Sequence, residues 1–157
     1  MRKERMNDRG FSLVELIIVI AIMAILIVVL APQYLRYVER SRNSTDLQNA
    51  TTIVDAIQIY AADPQANPPI TNADTGAIIT VNENGTPSTC PNAQMQAALT
   101  NAGVNIANIQ CSSRTAWTGY TITVTVGTDG NVEFAYEGIG EATPGTFESM
   151  MTGGTTS

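Results

Sequence analysis

From Phe11 to Ala31 every residue is apolar except Ser12 and Glu15, and the run from Leu16 to Ala31 is unbroken. Twenty-one helical residues rising about 1.5 Å each span about 31 Å, close to the hydrocarbon thickness of a bilayer. A chain with such a segment must hide it in lipid, in its own interior or in other copies of itself. The carboxylate of Glu15 near the start of this segment is the anomaly, because a charge in hydrocarbon is costly unless it is paired.

Two ordinary readings of the segment leave something unexplained. A secretory signal has a shorter apolar core and a small-residue cleavage site; here the nearest candidate site, after Ala31, puts Pro32 directly behind the cut. A plain membrane anchor fits the length but gives no reason for Glu15. Charge asymmetry leaves orientation open, since Arg2, Lys3, Arg5 and Arg9 precede the span and Arg36, Arg40 and Arg42 follow it.

The stretch Arg9-Gly10-Phe11-Ser12-Leu13-Val14-Glu15, behind a short charged leader and ahead of an apolar helix, resembles the processing motif of type IV pilins and pilin-like proteins. The resemblance covers about the first third of the chain. It implies that a prepilin peptidase cuts between Gly10 and Phe11, methylates the new N-terminus and leaves residues 1–10 behind as a leader. It also implies a partner for Glu15: the Phe11 amine, on the same helix or on a neighbouring subunit in a filament. The implied life history is a single-pass precursor in the cytoplasmic membrane with its head outside, then a homo-oligomeric extracellular filament raised by pilus assembly machinery. A pseudopilin of a type II secretion or DNA-uptake machine uses the same N-terminal chemistry and is the alternative. A membrane-anchored extracellular enzyme or binding module is the second.

Pro32 ends the unbroken apolar run, and its ring clashes with the carbonyl of Val28, so a kink is expected there. The helical pattern then resumes. Leu35, Val38, Leu47, Ala50, Val54, Ile57 and Ala61 recur at spacings of three and four or their sums, until Asp63-Pro64 and the prolines at 68 and 69 stop it. The expectation is a two-part helix: residues 11–32 apolar all round, and residues 33–62 with one apolar stripe that needs a globular partner.

Residues 63–157 read as that partner. Ala77–Val81 suggests a strand ended by Asn84-Gly85, and Ala93–Ala102 a short helix stopped by Gly103. Tyr120–Val126 and Val132–Tyr136 alternate apolar and polar residues on either side of Gly127–Asn131, a hairpin signature. From Gly138 on, the chain is rich in Gly, Thr and Ser and is expected to end in a flexible tail. The expected fold class is α+β, with a small antiparallel sheet laid on the striped half of the helix, similar to the head of a type IV pilin.

Composition narrows the chemistry. The chain has no histidine and a net charge of −6, and only Arg114 of its eight basic residues lies beyond position 42. A hydrolase triad or zinc site has no parts here, and nothing points to nucleic acid bound by charge. No catalytic residue, metal or cofactor is assigned, and the chain is not read as an enzyme. Asp129, Asn131 and Glu133 are spaced like calcium ligands, but Phe134 stands where an EF-hand loop needs glycine and the hairpin accounts for all three. Glu133, Glu137, Glu141 and Glu148 are read as solubilising. Cys90 and Cys111 enclose 20 residues. In an extracellular head they favour a disulfide contributing about 3 kcal/mol, whereas a cytosolic location would keep two thiols.

Overall fold

The computed structural model describes residues 11–154. The leader, including Gly10, lies outside the described residues. By its contacts the chain divides into two units, one ending at Val38 and one beginning at Glu39. Helix α1, Leu13–Ala62, runs through that boundary.

In the first unit α1 is bare. No residue from Phe11 to Tyr37 is buried or half-buried. Among the described residues α1 is the one helix long and apolar enough to cross a membrane. The helix passes through Pro32 without interruption. Proline removes one backbone donor there but does not end the element, because the strong helix formers on both sides continue the ladder.

The second unit is α+β. Strands β1 (Ala77–Val81), β2 (Gly119–Val126) and β3 (Val132–Ile139) form an antiparallel sheet in the order β1-β2-β3. Ile79 lies opposite Ile122 and Ile122 opposite Tyr136; Val124 lies opposite Phe134. Because successive strand residues alternate faces, Tyr120, Ile122, Val124 and Val126 all point to one side. There they join Ile53, Val54, Ile57 and Tyr60 of α1 in a single core. Fully burying one such Ile or Val stabilises by about 1.5–3 kcal/mol.

The buried face of α1 is Asn43, Asp46, Ala50, Ile53, Val54, Ala56, Ile57 and Tyr60. It is centred about one position away from the expected stripe, with Leu47 half-buried at its margin and Leu35 67% exposed. Two of its eight residues are polar, which a search for apolar periodicity passes over.

Helix α2 (Ala93–Asn101) has both of its ends capped. The Asn92 side chain accepts from Met95 N–H at 3.0 Å. At the other end Gly103, at φ +74°, allows its own N–H to reach Thr100 O and that of Val104 to reach Leu99 O, closing a Schellman turn that a residue with a Cβ would strain. Asn92 Nδ2 also donates to Asp74 Oδ1 at 3.1 Å, fixing α2 to the turn at Asn72–Asp74.

A short helix α3 (Thr146–Met151) lies in the Gly-, Thr- and Ser-rich segment after Gly138, where no element was expected. Phe147 is fully buried, stacked on Tyr120 at 4.4 Å and edge-on to Trp117 at 5.0 Å. Each aromatic pair adds about 0.5–1.5 kcal/mol beyond burial, enough to hold a six-residue helix that composition alone does not favour.

Candidate processing and assembly site

Phe11 is 89% exposed and Ser12 is not yet helical. Leu13 begins the helix, and Glu15 turns back to accept the Ser12 N–H at 2.9 Å through Oε2. The first N–H groups of a helix have no partner within it and form its positive end. The Glu15 carboxylate is thus held over the start of the chain that a cut after Gly10 would create. Beyond it lies a helix surface of Leu, Ile, Val and Met side chains, each at least half exposed.

A second constellation, absent from the expectations above, ties α1 to the head. Asp46 is fully buried. Its Oδ1 accepts Ser112 N–H at 2.7 Å, and its Oδ2 accepts Ser113 N–H at 2.9 Å, Trp117 Nε1 at 2.9 Å and the Cys111 thiol at 3.2 Å. Two turns back, Glu39 Oε1 accepts Arg114 N–H at 2.7 Å, Thr115 N–H at 2.8 Å and the Ser113 hydroxyl at 2.9 Å. Four consecutive backbone N–H groups, 112 to 115, are therefore satisfied by two carboxylates of one helix. Desolvation pushes the Glu39 carboxyl up, but the hydrogen bonds from Arg114, Thr115 and Ser113 outweigh it and bring it down to about 2.

Cys90 and Cys111 are both buried free thiols, so the expected disulfide is not formed in this structure. Cys111 is turned to Asp46 and Cys90 lies 3.8 Å from the Asn92 carbonyl. Burial pushes both thiols up, Cys90 to about 11 and Cys111, with Asp46 beside it, to about 12. Neither thiol is a nucleophile at neutral pH.

The remaining candidates fall into structural roles. Asp129 Oδ1 accepts Asn131 N–H at 3.1 Å inside the β2–β3 turn. Glu141 caps α3, accepting Phe147 N–H at 2.6 Å and Thr146 N–H at 3.3 Å. Among the described residues, no group of three His, Cys, Asp or Glu side chains is placed to hold a metal.

The model of the prokaryotic N-terminal methylation motif matches residues 5–31, the span that holds Phe11, Glu15 and the bare helix. The chain has a type IV prepilin-like N-terminus. Over 69 residues, 44% of its length, the chain is 32% identical to "Prepilin peptidase-dependent protein A" of Clostridium perfringens (strain 13 / Type A). The match spans 49% of that relative, so the chain covers about half the length of the curated protein it resembles. No solved structure matches it. The apolar helix fits membrane anchoring of a prepilin-type precursor, and the long helix with its three-stranded antiparallel sheet is a pilin-like α+β arrangement.

Proposed function

We propose that the chain is a structural subunit of a type IV pilus. Prepilin peptidase cuts between Gly10 and Phe11 and methylates Phe11, and the pilus machinery moves the subunit from the cytoplasmic membrane into an extracellular filament of identical copies. The observation that carries this reading is the methylation motif lying in register with a bare apolar helix whose first-turn carboxylate caps the chain beside the cut. In lipid, apolar contact is already satisfied, so assembly exchanges lipid contacts for helix contacts at little net hydrophobic gain. Direction and register then have to come from a polar pair, and Glu15 with the Phe11 amine of a neighbour supplies one. A bend at Pro32 adjusts the helix as copies pack.

Shearing filaments from cells and quantifying this chain tests the proposal. Filaments of which it is the bulk component support a pilus subunit. Its confinement to the membrane and periplasm of cells that secrete or take up macromolecules indicates a pseudopilin instead.

A further inference from the structure

The head carries two clefts of opposite charge, lined by different residues. The first, of about 360 Å³, is lined by Ser41, Arg42 and Thr45 of α1 with Asn84, Gln110 and Arg114. It gathers two of the few cations beyond the leader, and hydroxyl and amide donors surround them. Arg42 is partly balanced by Glu39 at 3.5 Å, the one ion pair among the described residues. Arg114 makes no such pair. Its backbone and those of its neighbours are fixed by Glu39 and Asp46, so the guanidinium is offered from a rigid base and loses less freedom on binding. An arginine with flanking donors is suited to a carboxylate.

The second cleft, also about 360 Å³, includes Thr123, Ala135, Glu137, Glu141 and Glu148. Glu137, with Thr123 and Ala135, alternates with the inward-facing residues of β2 and β3 and so points to the sheet face turned away from α1, while Tyr136 and Gly138, which also line the cleft, belong to the inward-facing set. Glu141 is engaged by the start of α3, whereas Glu137 and Glu148 are exposed.

We propose that the Arg42–Arg114 cleft of one copy receives the Glu137 edge of a second copy. This rests on the filament reading above. Copies of a chain with net charge −6 repel one another when packed side by side, and the leader, with four basic and two acidic residues, makes the chain more acidic still once it is removed. A cationic patch meeting an acidic edge offsets that repulsion locally and selects one orientation. Because the two surfaces are different patches of the chain, the contact is heterologous, the type that extends into an open filament when the rotation between copies does not close a ring.

The test uses the full-length chain in cells that assemble it. Arg114→Glu and Glu137→Arg are each expected to lower sheared-filament yield about fivefold, the scale of one exposed ion pair. The double reversal is expected to recover yield to within about twofold, because the pair is restored with opposite polarity. Arg114 meets Glu39 through its backbone, so thermal unfolding of the variants should match that of the parent. A photo-crosslinker at Gln110 should capture a neighbour's peptide from the region 132–151. Unchanged yield in the single variants, no recovery in the double variant, or crosslinks elsewhere overturn the contact while leaving the filament reading in place. Absence of the parent chain from sheared filaments overturns both.

Discussion

Trp117 Nε1 donates to Asp46 Oδ2 at 2.9 Å across 71 residues of sequence, with both side chains sealed in the core. The pair joins α1, the helix whose first part is the bare apolar segment, to the loop that closes the head. A buried carboxylate of this kind stabilises only because every oxygen is answered, and removing it strands the donors. Asp46→Ala is expected to destabilise the head by about 3–5 kcal/mol. Asp46→Asn should also destabilise it, since an amide nitrogen would face N–H donors. Guanidinium unfolding followed by emission of Trp117, the single tryptophan, measures both.

Glu39 makes the same junction sensitive to acid. Its carboxyl lies at about 2, below the ordinary 4.5, so its contribution is complete above pH 4.5 and is lost as pH falls from there towards 2. Glu39→Gln should lower stability at pH 7 and flatten the acid limb of the stability curve, by at most roughly 3 kcal/mol. Melting temperatures from pH 7 to pH 3 for the two proteins show whether the limb belongs to this residue.

The cysteines yield a chemical count. With Cys111 bound to Asp46 and Cys90 turned to the Asn92 carbonyl, the folded protein should resist iodoacetamide at pH 7.5, and denaturation without reductant should expose two reactive thiols. Zero thiols in the denatured chain would restore the disulfide expected of an extracellular head. Cys111→Ser keeps a donor for Asp46 and should cost less than Cys111→Val.

Glu15→Val removes the carboxylate that holds the Ser12 N–H. Insertion into the membrane should be unaffected, because the change makes the segment more apolar. Incorporation into filaments should fall by roughly a hundredfold or more, the lower end of what losing one partner of a buried pair costs. Comparing the membrane pool with the sheared fraction separates the two effects, and normal incorporation would remove the pairing argument.

The parts of this structure legible in the sequence are those set by local pattern. The apolar run, β1 at Ala77–Val81, α2 with its Gly103 stop and the β2–β3 hairpin each follow from residues a few positions apart. Asp46 and Glu39 were not legible, because a carboxylate on an amphipathic helix ordinarily faces water. Their partners lie 65 to 76 residues away, and the only local sign was that Asp46 falls four before Ala50 and seven before Ile53 on the buried face. Helix α3 was hidden for a related reason. Among the glycines and threonines after Gly138, it is the contact of Phe147 with Trp117 and Tyr120 that orders the segment.

The central claim is that the chain becomes an assembly subunit only when the bond after Gly10 is cut. Intact mass of the chain recovered from cells tests it most directly. The account predicts a mature protein beginning at Phe11 and carrying one methyl group, together with accumulation of the longer precursor when Gly10 is replaced by Val. A mature chain beginning near Gln33, or one still beginning at Met1 in assembled material, would contradict it.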